Sequence, residues 1–200
     1  MKKINKTIRI TAILSLLFCA FMSAQNEVIV PLEEQYSNIY TDDQVIYFKD
    51  VNNTLDKYVG TWKYEDANHF LQIQVTKKEH VSKGVPGLYN NPHFEDYISI
   101  DMLYKYNGVT KYTYQNTLMR GNAIESANSV ELIYNEPSLT SCYRKKQADL
   151  LLQYVSSGFN TQLIWTRTRR LPNGLWKCPD GTEIDNSDFL IPANLTLTKQ

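Results

Sequence analysis

Glycine and proline are scarce here, 8 and 7 in 200 residues, while tyrosine is frequent at 14. That balance excludes a disordered chain and favours paired strands, where aromatic and β-branched side chains fit the pleat. Cysteine is rarer still, with three residues and no C-x-x-C, which argues against a thiol redox enzyme. The three histidines, His69, His80 and His93, are eleven and thirteen residues apart, far from the close spacing of a zinc site. Charge of one sign is missing as well: 21 basic residues balance 21 acidic ones. No G-x-S-x-G elbow, P-loop or dinucleotide fingerprint occurs. The sequence therefore implies no cofactor, no metal and no catalytic residue.

Long apolar runs are also absent, apart from one. Ile10 to Met22 is an apolar stretch behind Lys2, Lys3, Lys6 and Arg9, and Met22-Ser23-Ala24 follows as a small-residue cleavage site. Residues 1–24 read as a signal peptide, too short for a membrane span. The expected localisation is export, periplasmic or secreted, with no transmembrane segment after cleavage. A lipid anchor at Cys19 is disfavoured by the bulky Phe18 before it. Cleavage removes four of the 21 basic residues, leaving 17 against 21 acidic ones, a net charge of about −4. Such a surface does not capture nucleic acid or anionic membrane electrostatically. Two cysteines remain, Cys142 and Cys178. In an oxidising compartment they form either a disulfide, contributing about 3–4 kcal/mol, or two separate buried thiols.

Residues 25–50 read as an extended N-terminal arm, with Val45-Ile46-Tyr47-Phe48 as an edge strand and Pro31 arguing against a central one. Asn53 or Thr54 is expected to cap a single helical turn through Lys57. From Gly60 the period is two. Leu71, Ile73 and Val75 alternate with Gln72, Gln74 and Thr76, as in a half-buried antiparallel strand. Ile98, Ile100, Met102, Tyr104 and Tyr106 lead into Asn107-Gly108, the strongest short hairpin signal. Val130, Leu132 and Tyr134 begin a further strand. Residues 150–155 and 162–167 flank a Ser-Ser-Gly turn, and Leu195 and Leu197 mark the last strand. The expected fold is all-β: an antiparallel up-and-down meander of about eight strands over residues 51–200, forming a barrel or strongly curved sheet.

Gly60-Thr61-Trp62-Lys63 resembles the Gly-x-Trp that opens the first strand of lipocalins (calycins). The resemblance implies that Trp62 closes the barrel base and that an arginine of a late strand, Arg167 or Arg169, packs across it. More closely, the chain resembles a family of small exported bacterial proteins known only as a domain of unknown function. The shared features are the signal ending in Ala-Gln, the run from Lys49-Asp50-Val51-Asn52-Asn53 to Gly60-Thr61-Trp62-Lys63, and the closing segment from Ile191 to Lys199. That resemblance implies a lipocalin-like fold and secretion, and brings no activity with it.

The candidate binding residues are aromatic. Tyr104 and Tyr106 opposite Tyr112 and Tyr114 make a tyrosine-rich wall, which either lines a cavity for a small apolar or amphipathic ligand or fills the interior. Glu65-Asp66 and Glu95-Asp96 flank turns and read as solvated acids rather than a glycosidase pair. The basic clusters 143–146 and 167–170 read as solvated faces or as cations stacked on tryptophan. The expected function is a non-catalytic binding module for a small ligand or a partner protein. The other reading is a structural or interaction protein of the cell envelope with a filled core.

Overall fold

The computed structural model describes residues 27–35, 45–83, 93–113, 119–126, 128–136, 146–158, 160–169 and 189–200. Among them are eleven strands and two short 3-10 turns, Leu32–Glu34 and Asp56–Tyr58. The strands are β1 (Glu27–Pro31), β2 (Val45–Lys49), β3 (Gly60–Glu65), β4 (His69–Lys83), β5 (His93–Tyr106) and β6 (Val109–Tyr112). They continue as β7 (Met119–Ser126), β8 (Ser129–Glu136), β9 (Lys146–Ser157), β10 (Asn160–Arg169) and β11 (Asn194–Lys199).

All eleven belong to one mixed sheet in the order β1-β2-β5-β4-β3-β11-β10-β9-β8-β7, with β6 paired to β5. The all-β class is as expected; the purely antiparallel meander of about eight strands is not what is found. β1 pairs β2 in parallel and β2 pairs β5 in parallel, whereas the remaining ladders are antiparallel. The eleven strands as a whole do not close on themselves, because β1 pairs only with β2 among the described residues. A further antiparallel ladder joins β7 to β5, with Ile98 opposite Gly121 and Ile100 opposite Met119.

Local chemistry explains most elements. Gly60 has φ +132°, a conformation that side chains avoid, so a glycine must admit the chain to β3. Asn107 and Gly108 have φ +50° and +75°, the left-handed pair a tight hairpin needs between β5 and β6. Along β4, Leu71, Ile73 and Val75 are buried while Gln72, Gln74 and Thr76 keep partial exposure. The same alternation buries Ile98, Ile100, Met102 and Tyr104 of β5 and Val130, Leu132 and Tyr134 of β8. Their inward faces meet in one hydrophobic cluster that includes Trp62 and Trp165.

The second strand departs from the edge position expected of it. Val45–Phe48 lies between β1 and β5, so the edge strand is β1, whose last residue is Pro31. That position suits a residue without an amide proton. The 3-10 turn Asp56–Tyr58 has Leu55 before it and no side-chain cap from Asn53 or Thr54. Asp50 organises this turn instead, its carboxylate accepting from the amides of Thr54 at 2.7 Å and Leu55 at 3.0 Å.

Candidate functional site

Trp62 lies at the centre of the Gly60 motif and is fully buried. Its Nε1 donates to the carbonyl of Tyr58 at 2.8 Å, and Tyr154 meets its ring edge-on at 6.4 Å. A late-strand cation does pack over the indole, but it is the ammonium of Lys199, 5.3 Å from the ring. Register explains the exchange: Lys199 of β11 stands directly opposite Trp62. Arg167 lies elsewhere, opposite Leu150 on β9, with its guanidinium 3.8 Å from the Phe189 centroid and 5.8 Å from Tyr134. It donates to the carbonyl of Ile191 at 3.0 Å. The side chain of Arg169 lies outside the described residues, as do Cys19, Cys142, Cys178 and the signal peptide.

The tyrosine wall is an element of the packing. Tyr104 is fully buried and Tyr112 nearly so, and their rings stack at 6.0 Å and 23°. The Tyr104 hydroxyl donates to the carbonyl of Leu190 at 2.8 Å and lies 2.7 Å from Nδ1 of His69. Tyr106, at the end of β5, is 38% exposed, and Tyr114 lies outside the described residues. Surface depressions formed by described residues include two. One lies along Asn160–Gln162 and Thr198–Lys199; the other, of about 320 Å³, lies between the β3–β4 and β5–β6 turns. Neither is lined by Tyr104 or Tyr112.

One of the two acidic pairs departs from the solvated acids expected. Glu95 and Asp96 are both buried, at 1% exposure. Asp96 Oδ1 accepts from the Tyr47 hydroxyl at 2.6 Å and the His80 amide at 2.9 Å, and Oδ2 accepts from the Asp50 amide at 2.9 Å. Burial and the Asp96 carboxylate together push the Tyr47 phenol well above its usual range. Asp50 in turn pairs with Lys77, whose Nζ is 2.8 Å from Asp50 and 2.8 Å from Asp56. Burial alone would lower the Lys77 ammonium, but its bonds to Asp50 and Asp56 outweigh that and hold it above the ordinary lysine value.

This network ties β2, β4, β5 and the 50–58 segment together, and it escaped the sequence reading. A signal did exist for Asp96, which sits two residues before Ile98 in the inward register of β5. Glu65 and Asp66 do lie at the surface, at the β3–β4 turn. Asp66 Oδ1 accepts from the amides of Asn68 and His69, and Oδ2 accepts from the Tyr64 hydroxyl.

The histidines do not converge. His69 stacks on Tyr104, His80 stacks on Phe94 at 4.2 Å and reaches Glu27 at 2.8 Å, and His93 meets Phe48 at 6.1 Å. Among the described residues no helix is long and apolar enough to cross a membrane. Comparison with curated proteins and with solved structures finds no match. The model of a family of unknown function, DUF6705, matches residues 1–200, and the chain belongs to that family.

Proposed function

We propose that this is an exported, non-catalytic interaction protein of the cell envelope that works through its surface, with a filled interior. One observation carries the reading: Tyr104 and Tyr112, the residues best suited to line a ligand cavity, are buried against each other within the core. The phenol of Tyr104 is also committed, donating to Leu190. A small apolar ligand inside, the reading the tyrosines first suggest, would have to displace these contacts.

The proposal includes a lipocalin-like barrel as the framework. The ladder between β5 and β7 supports it, because β3, β4, β5, β7, β8, β9, β10 and β11 then follow one another in a ring of antiparallel neighbours. Export rests on the signal-like residues 1–24, with release into the periplasm or medium favoured over lipidation at Cys19.

Native mass spectrometry of the exported protein tests both parts. The expected spectrum is the bare chain beginning at Gln25. A stoichiometric adduct of ligand mass would overturn the filled interior, and a chain retaining residues 1–24 would overturn cleavage and release.

A further inference from the structure

His69 opens β4 beside Tyr104, the two rings 6.0 Å apart and 28° from parallel. The Tyr104 hydroxyl has one proton, and it goes to the carbonyl of Leu190, which can only accept. Nδ1 of His69, 2.7 Å from the same oxygen, must therefore be the donor in that contact. In the neutral imidazole the proton then sits on Nδ1, and Nε2 keeps its lone pair.

This ring lines the depression of about 320 Å³ between the β3–β4 and β5–β6 turns. The walls of the depression are fixed in advance. Asp66 holds the first turn through the amides of Asn68 and His69, at 2.8 and 2.7 Å, and through the Tyr64 hydroxyl at 2.6 Å. The amide of Asn107 donates to the carbonyl of Asn68 at 2.8 Å and ties the two turns together. With the Asp66 oxygens engaged, three charged or basic groups remain to meet a ligand, beside the side-chain amide of Asn68. They are the Nε2 acceptor of His69, the carboxylate of Glu65, and the ammonium of Lys105, which lies 5.2 Å from the Phe70 ring. Glu65 is 57% exposed and bridged to Lys63.

We propose that this depression binds one sugar ring of a neutral glycan. The inference rests on the reading of a protein that binds at its surface. A pyranose presents neighbouring hydroxyls that each donate and accept, matching two acceptors and one ammonium held in a rigid frame. Its size suits a depression at the small end of ligand sites. Two carboxylates on the walls, balanced by Lys105 and by the Lys63 ammonium 2.6 Å from Glu65, give an anionic ligand no net attraction, and an apolar one would strand the polar groups.

The test uses nitrogen-15 NMR on the exported chain. Long-range correlation to the His69 ring should find the proton on Nδ1; a proton on Nε2 would overturn the proposal. Titration with cellotetraose, maltotetraose, mannotetraose and chitotetraose should give, for at least one, saturable shifts at Asn68, His69 and Gly108. A Kd on the order of 1 mM is expected for so few contacts. Lys105→Ala, on the outer face, should weaken that binding about fivefold to tenfold. No saturable shift with any of the four would overturn the glycan site while leaving the filled interior standing. Shifts at Leu152 and Trp165 instead would overturn the surface-binding reading as well.

Discussion

Trp62 and Trp165 are both fully buried in the same core, yet their surroundings are built on opposite principles. The region beside Trp62 is held by buried charge. The carboxylate of Asp50 accepts two amides and the ammonium of Lys77, and Asp96 accepts a phenol and two further amides. Nearly every partner is a backbone group or a committed side chain, so this network fixes the path of residues 47–58. The Tyr58 hydroxyl, on the same segment, is buried without a hydrogen-bond partner among the described residues. The region beside Trp165 is held by ring packing: Tyr134 meets the indole edge-on at 5.6 Å, and Phe189 lies between Tyr134 and Arg167. Here the indole Nε1 is buried without a partner among the described residues. A carboxylate network constrains the backbone and is costly to break. Ring packing constrains it less and tolerates a change of partner.

Breaking the charged side should have the largest effect. Asp50→Ala strands two amides and leaves the Lys77 ammonium with Asp56 and Glu79, which are 57% and 69% exposed. The expected loss is about 3–5 kcal/mol, read as a lowered midpoint of urea unfolding. A loss under about 1 kcal/mol would show that the network contributes little beyond packing.

A matched pair of substitutions sharpens the comparison. Trp62→Phe and Trp165→Phe remove the same atoms, but only the first breaks a hydrogen bond, that to the carbonyl of Tyr58. Trp62→Phe should cost about 1–2 kcal/mol more than Trp165→Phe in the same unfolding measurement. Equal losses would contradict the contrast drawn between the two indoles.

The smallest effect belongs to the turn at Asp66, on the ring-packed side next to His69. Hydrogen bonds from the Tyr64 hydroxyl and then from the His69 and Asn68 amides depress its carboxyl to about 2. A depressed folded value means that the contribution is complete above the unfolded value of about 3.8 and fades as pH falls through about 2. The side-chain carboxyl carbon resonance of Asp66 should therefore hold steady down to about pH 4 and move only below it. A carboxyl midpoint above about pH 4 would show that the turn is not stapled by Asp66.

Period-two alternation made the long strands β4, β5, β8, β9 and β10 readable, because each buries one face. Gly60 and Asn107-Gly108 were readable because their backbone conformations require those residues. β7 was not expected: Met119 to Ser126 carries no clean alternation, and its place comes from pairing with β5 and β8. Of the cations expected over Trp62, Arg167 packs on Phe189 instead, and register puts Lys199 over the indole. Local sequence does not encode cross-strand register between chain segments so far apart. The depression at His69 was not legible either, since it depends on two turns joined by one backbone hydrogen bond.

The central claim is that the interior is filled between Trp62 and Trp165. Xenon enters dry apolar cavities, so a crystal of the protein under xenon pressure reads that interior directly. The account predicts no xenon among Met102, Tyr104, Leu152 and Trp165. An ordered xenon atom there would contradict it and restore a ligand-holding cavity.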